Sequence, residues 1–144
     1  LSISYFTIMR EKKMPVLVMF IDLDRLKYIN DTFGHEYGDF AIVSIAKAML
    51  KHCDADAIAA RTGGDEFIVL EGAKDEESGR VLAQKIRTEL SKTQRAMQLP
   101  FDLSASIGAV VAHPGEENVL ESYVKRAEML MYEEKAEKKV SRDS

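Results

Sequence analysis

Two aspartates are spaced so that the chain could hold a divalent cation. Asp22 follows a continuous apolar run, residues 16–21, and Asp65 follows the pair Gly63 and Gly64. If their strands are neighbours in a sheet, the two like charges are unfavourable unless a cation lies between them or one stays protonated. Hard oxygen ligands suit Mg²⁺, with Mn²⁺ as an alternative, and Mg²⁺ commonly completes its shell with substrate phosphates. The pair indicates metal-assisted phosphoryl or nucleotidyl transfer.

Hydrophobic periodicity predicts the elements that must position these carboxylates. Strands are expected at 16–21, 58–62, 67–70 and about 102–112, and helical segments at 4–12, 26–30, 40–50, 76–91 and 120–131. Gly63 and Gly64 indicate a hairpin between the second and third strands, because glycine accepts the positive φ that such a turn demands.

The order βαββαβ plus a C-terminal helix predicts an α+β, ferredoxin-like split βαβ fold, an antiparallel sheet flanked by helices. Nucleotide cyclases and polymerase palms share this arrangement. In this topology the first strand lies beside the third, so Asp22 and Asp65 should face one another at one edge of the sheet.

The composition favours a single domain and disfavours nucleic-acid-binding and membrane-spanning proteins. The 144 residues suit a single domain over 1–144, and 20 basic against 24 acidic residues give a net charge of −4, which disfavours nucleic-acid binding. The longest apolar run, residues 14–21, is too short to span a bilayer, and no signal peptide is visible, so we expect no membrane contact and a cytoplasmic location. The single cysteine, Cys53, is expected to be a small core residue.

Two long motifs carry a family resemblance, Phe20–Asp39 (FIDLDRLKYINDTFGHEYGD) and Arg61–Phe67 (RTGGDEF). Ser106–Ala109 and Ala127–Lys135 also agree. The sequence resembles the GGDEF domain of diguanylate cyclases over nearly its whole length. This resemblance implies condensation of two GTP into cyclic di-GMP and two pyrophosphates, at a site formed between two copies of the domain.

Residue by residue, the resemblance implies a metal site and a catalytic group. Asp22, Asp65 and the backbone carbonyl of Leu23 would hold Mg²⁺, and Glu66 would assist catalysis beside them. The metal would neutralise the α-phosphate and favour the ionised 3′-hydroxyl that attacks it in line.

The resemblance also implies contacts to GTP. Lys27 and Lys135 match positions that contact phosphates or stabilise the charged transition state, and Lys139 offers a further charge. The backbone amides of Arg25 and Leu26 would bind the terminal phosphates.

Three residues match positions that bind the nucleoside of GTP: Asn30, His35 and Asp39. Guanine offers N–H donors to a carboxylate and acceptors to an amide, so Asp39 is the expected guanine reader.

Several of these residues have structural alternatives. His35 could be a turn or packing histidine, and Asp24 and Asp31 could cap turns and the short helix. Lys135 belongs to a charged run, residues 133–139, which without the resemblance would indicate a solvated helix face.

The sequence departs from the family pattern in four places, one of which is Thr62, where the family commonly has an aromatic or large apolar residue. The family commonly begins before the first helix, so we expect this domain to belong to a longer protein with sensory or regulatory domains. The family's Arg-x-x-Asp product-inhibition site is replaced by Asp54 and Ala57, so inhibition through that site should be absent. The usual Gly-Arg-Asn after the last motif is Lys138, Lys139 and Val140, which loses a bidentate phosphate contact.

Two other functions compete with an active cyclase. The domain could bind GTP and regulate an attached partner without turnover, which the departures at both ends leave open. A polymerase-palm or class III nucleotidyl cyclase relative would share two carboxylates on this sheet, but the long 20–39 motif argues against it.

Overall fold

A computed structural model describes residues 2–143 and contains the predicted sequence of elements. In chain order these are α1 (Ser2–Glu11), β1 (Val16–Leu23), α2 (Leu26–Phe33), α3 (His35–His52), β2 (Ile58–Arg61), β3 (Glu66–Gly72), α4 (Ser78–Ala96), β4 (Ala105–Ala112) and α5 (Leu120–Asp143). The sheet order is β2-β3-β1-β4, and every neighbouring pair is antiparallel. The predicted split βαβ fold is therefore confirmed. Within residues 2–143, no helix is both long enough and apolar enough to form a membrane span.

Strand β1 is buried along its whole length because helices cover both faces of the sheet. Alternate side chains point to opposite faces of a strand. Leu17, Met19 and Ile21 accordingly enter the core under α3 and α4, whereas Val18 and Phe20 enter the core under α1 and α5. This explains why the run at 16–21 is continuously apolar rather than alternating.

The element bounds differ from the predicted ones mainly at the ends. Strand β4 begins at Ala105 rather than near 102, and helix α5 continues to Asp143. Because α5 is longer than predicted, the charged segment 133–139 lies within the helix and alongside the edge of the sheet where β1 ends.

The prediction that Gly63 and Gly64 adopt a positive φ in the hairpin turn is wrong. Neither Gly63 nor Gly64 has a φ in the left-handed region, and among the glycines of residues 2–143 only Gly34 does, with φ 102° between α2 and α3. The hairpin forms without that conformation, with Arg61 opposite Phe67 and the Thr62 N–H donating to the Glu66 carbonyl at 2.9 Å.

Helix α5 packs directly on the backbone of β4 at Gly108. A Cβ there would lie 1.9 Å from the Ala127 carbonyl oxygen and 2.5 Å from the Met131 nitrogen. Only glycine permits this approach, which holds α5 and its basic side chains against the sheet.

Cys53 is half-buried and packs against the main core, as expected for a small core residue. Burial, with the nearby carboxylate of Glu71, raises the pKa of the Cys53 thiol to about 12. The thiol is therefore uncharged and unreactive at neutral pH.

Candidate active site

Three carboxylates meet where β1 ends and the hairpin returns into β3. Asp22 lies opposite Glu66 in the β1–β3 register, and the Leu23 N–H donates to the Asp65 carbonyl at 2.9 Å. One carboxylate oxygen from each of Asp22, Asp65 and Glu66 lies within 4.8 Å of the others. The structure thus brings Asp22 and Asp65 together across neighbouring strands.

Asp22 is the most perturbed group of this carboxylate cluster. Only 5% of the residue is exposed, and its Oδ1 has no hydrogen-bond partner within the described residues. Burial raises the pKa of Asp22 to about 7, the Lys135 ammonium opposes that rise, and the Asp65 carboxylate adds to it. A buried carboxylate with an unsatisfied oxygen beside two others is a donor set that fits a hard divalent cation.

Lys135 reaches this cluster from α5. Its Nζ lies 3.3 Å from Asp22 Oδ2 and donates to the Leu23 carbonyl at 3.2 Å. The side chain is one-third exposed, so the ammonium borders the carboxylates on one side and solvent on the other. The solvated-face alternative for Lys135 is therefore wrong.

Cationic side chains line a cleft next to the carboxylates. The cleft has a volume of about 700 Å³ and lies between the β1–α2 turn and α5. Its basic lining residues are Arg25, Lys27, Lys135, Lys139 and Arg142. The positive charge that the chain lacks as a whole is concentrated here, which suits a polyanionic ligand.

The β1–α2 turn has an unusual backbone conformation. Arg25, the residue before α2, has φ 60° and ψ 37°, a left-handed conformation, and its guanidinium lies 4.0 Å from the Tyr28 ring centroid. The Arg25 side chain makes no capping hydrogen bond to α2. The first amides of a helix have no intrahelical acceptor, so this turn offers N–H donors to an anion.

The nucleoside-binding candidates cluster at the α2–α3 junction. Asn30 packs on Gly38 so closely that a Cβ at Gly38 would lie 1.8 Å from Asn30 Oδ1. This buried oxygen has no hydrogen-bond partner within residues 2–143. His35 and Asp39 are exposed on the first turns of α3, one helical turn apart. No contact described for them reaches the carboxylate cluster.

Asp24 and Lys138 form an interaction that the sequence did not reveal. The buried Asp24 carboxylate accepts hydrogen bonds of 2.7 Å from Ser104 Oγ, Ser106 Oγ and Lys138 Nζ. Burial would raise the pKa of Asp24, but these donors outweigh it and lower that pKa below its usual value. Asp24 is therefore not a helix cap, contrary to the structural alternative above. The only signal in the sequence was the spacing of Lys135 and Lys138, which places them on one helix face.

Two further residues of the cleft were missed by sequence reasoning. Tyr132 and Arg142 line it from α5, and both lie on turns adjacent to Lys135 or Lys139. The helical period could have identified them once α5 was known to extend to Asp143.

Comparison with known proteins decides the family. The profile of the family described as "Diguanylate cyclase, GGDEF domain" matches residues 4–141. The chain belongs to the GGDEF domain family. It is 36% identical to the probable diguanylate cyclase DgcT of Escherichia coli K12 over 127 residues, which are 86% of this chain and 28% of DgcT. It is 30% identical to the cyclic di-GMP phosphodiesterase PdeR of the same organism over 115 residues, covering 80% of this chain and 17% of PdeR.

A solved structure agrees with the fold. The active GGEEF domain of a diguanylate cyclase from Vibrio cholerae superposes with a TM-score of 0.75 at 25% identity, covering 90% of this chain and 82% of that one. The GGDEF domain described here thus spans most of a solved domain but less than a third of the curated relatives DgcT and PdeR.

Proposed function

We propose that this GGDEF domain condenses two GTP into cyclic di-GMP and two pyrophosphates, at a site formed when two copies meet. The observation that carries the proposal is the juxtaposition of the Asp22, Asp65 and Glu66 carboxylates with a cation-lined cleft. Carboxylates for a metal beside cations for phosphates are what phosphoryl transfer requires. The use of GTP also implies that the domain acts in the cytoplasm.

Asp22, Asp65 and the Leu23 carbonyl are the groups that would hold Mg²⁺ or Mn²⁺. Their fit rests on the hard oxygen donors and on the unsatisfied Asp22 oxygen. When bound, the metal would neutralise charge on the α-phosphate and favour ionisation of the attacking 3′-hydroxyl. Glu66 lies beside the same oxygens and would assist that ionisation.

The cationic cleft would bind the triphosphate. Lys27, Lys135 and Lys139 would neutralise phosphate oxygens, and the amides of Arg25 and Leu26 would donate hydrogen bonds to the terminal phosphates. In each half-reaction a 3′-oxygen forms a bond to the α-phosphorus of the other GTP, and the bond to pyrophosphate breaks. Charge on the departing pyrophosphate would be stabilised by these cations.

The α2–α3 junction would bind guanine. The buried Asn30 Oδ1 has no hydrogen-bond partner among residues 2–143, so a ligand N–H would satisfy it. Asp39 is exposed on α3 and would accept from guanine N–H groups, with His35 beside the nucleoside. The pattern of donors on guanine would select GTP over ATP.

A second candidate function is a GTP-binding regulatory module without turnover. It is favoured by one specific observation, the similarity of this chain to part of PdeR, which is named as a phosphodiesterase. Lys138 and Lys139 in place of a family Gly-Arg also weaken the bidentate phosphate contact. Control by other domains of a longer chain fits either function.

The test is product formation by the dimerised domain. The domain fused to a parallel coiled coil is incubated with GTP and Mg²⁺, and nucleotides and pyrophosphate are measured by chromatography. The fusion removes the need for high concentration, because a dimer-dependent site follows mass action. The matched control is Asp65→Ala in the same fusion.

We expect cyclic di-GMP from the parent and none from Asp65→Ala. Binding of GTP without any product would overturn the cyclase proposal and support the regulatory module.

A further inference from the structure

Asp24 lies between two lysines that come from the same face of α5. Lys138 Nζ is 2.7 Å from Asp24 Oδ2, and Lys135 Nζ is 3.8 Å from Asp24 Oδ1. Asp24 is 5% exposed, so its charge must be compensated inside the protein. Lys138 is the nearer of the two cations and the one that is hydrogen-bonded to the carboxylate.

Lys138 is fixed in this position by more than Asp24. Its Nζ also donates to the Ala105 carbonyl at 2.7 Å and lies 3.3 Å from Glu134 Oε1. Glu134 in turn accepts two hydrogen bonds of 2.7 Å from the Arg87 guanidinium. Lys138 is therefore held between acceptors from the β1–α2 turn, from β4 and from its own helix.

Lys135 has longer contacts than Lys138 and lies in the lining of the cationic cleft. Its distances are 3.3 Å to Asp22 Oδ2 and 3.2 Å to the Leu23 carbonyl, and it lines the cationic cleft, whereas Lys138 does not. If Lys138 lost its charge, Asp24 would remain as a buried anion, and Lys135 would be the nearest cation described for it. Lys135 would then be drawn from the cleft toward Asp24.

We propose that Lys138 is a positioning residue: by neutralising Asp24, it keeps Lys135 directed at the cleft and available to the phosphates of the nucleotide. This rests on the proposed function only in that the cleft binds a nucleoside triphosphate. Lys138 stands where the family commonly has glycine, so the device belongs to this chain's own sequence.

The experiment is a double-mutant cycle on nucleotide affinity. Dissociation constants for a non-hydrolysable GTP analogue are measured by calorimetry for the parent, Lys135→Met, Lys138→Met and the double variant. Lys125→Met is the matched control, because Lys125 lies on the same helix with 71% of its side chain exposed and pairs with the exposed Glu121. Lys138→Arg tests rescue by a different cation.

We expect Lys135→Met to weaken binding about tenfold, as for loss of one charged hydrogen bond, and Lys138→Met to weaken it roughly three- to tenfold. Because Lys138 acts through Lys135, the double variant should match Lys135→Met within about twofold. Lys138→Arg should bind like the parent, and Lys125→Met should change nothing.

Multiplying effects in the double variant would show that Lys138 acts on the phosphates independently and would overturn the proposal. Equal affinities of Lys138→Met and Lys125→Met for the GTP analogue would also overturn the proposal. The same holds if Lys138→Arg binds the analogue as weakly as Lys138→Met. If Lys138→Met does not fold, Lys138→Gln retains a donor to Asp24 and replaces it in the cycle. This experiment measures binding without turnover. Absence of cyclic di-GMP would therefore contradict only the cyclase proposal, whereas independent effects of Lys135→Met and Lys138→Met on affinity would contradict only the positioning role of Lys138.

Discussion

The protonation of Asp22 should make metal affinity depend on pH near neutrality. Burial raises the pKa of Asp22 to about 7, against the pull of the Lys135 ammonium and with help from Asp65. A carboxylate must be ionised to hold a cation, so metal binding competes with the proton.

The magnitude follows from the titration. With a pKa of about 7, about one-tenth of Asp22 is ionised at pH 6 and about nine-tenths at pH 8. Apparent Mn²⁺ affinity should therefore rise about tenfold from pH 6 to pH 8, with affinity gained as pH rises.

Free Mn²⁺ measured by electron paramagnetic resonance during titration of the nucleotide-free domain gives this affinity directly. Asp22→Asn is the matched control and should bind Mn²⁺ weakly with no pH dependence over the same range. An Mn²⁺ affinity of the parent that is equal at both pH values would refute the assignment of Asp22 as a buried, proton-holding ligand.

Three further predictions concern packing and recognition. Gly108→Ala places a Cβ 1.9 Å from the Ala127 carbonyl oxygen and should destabilise the domain by about 3 kcal/mol in urea denaturation, whereas Gly115→Ala, in open space, should stay within about 0.5 kcal/mol of the parent. Equal stabilities would contradict the close approach of α5. Gly64→Ala places a Cβ that meets nothing within 4 Å, so its thermal midpoint should equal that of the parent, and a lower midpoint would contradict the open space at this turn. Asp39→Ala should weaken GTP binding in calorimetry by about 1–3 kcal/mol, because the guanine N–H donors lose their carboxylate acceptor, and unchanged affinity would exclude Asp39 as the guanine reader.

The fold and the meeting of the carboxylates could be predicted because they depend on short-range patterns. The apolar run at 16–21 indicated a central strand, and the split βαβ order placed it beside β3. That pairing alone brings Asp22 and Asp65 to one edge of the sheet. The element ends were less predictable, because the extension of α5 to Asp143 depends on packing over β4 rather than on periodicity.

The Asp24–Lys138 pair could not be predicted, because it joins residues 114 positions apart. In the sequence, Lys138 belongs to a charged run that normally marks a solvated face. In the folded domain α5 packs on the backbone at Gly108, and Lys138 reaches Asp24. The prediction for the hairpin glycines was wrong for a different reason. A Gly-Gly pair suits a turn with positive φ, but the backbone at Gly63 and Gly64 does not adopt that conformation.

Asp65 is proposed to hold the metal during condensation of GTP, and exchange of its ligand atom reports on that role. Asp65→Cys offers a soft thiolate, which favours Cd²⁺ over Mg²⁺, and Asp65→Ser is the matched control without a soft ligand. The parent, which also carries Cys53, serves as the control for Cd²⁺ binding at that thiol. Cyclic di-GMP is then measured in the coiled-coil fusion with each metal.

We expect Asp65→Cys to form no cyclic di-GMP with Mg²⁺ and to recover product when Cd²⁺ is added, while Asp65→Ser stays inactive with both metals. Parental activity of Asp65→Cys with Mg²⁺ alone, or equal recovery of Asp65→Ser, would contradict a metal-ligating role of Asp65 and with it the proposed mechanism.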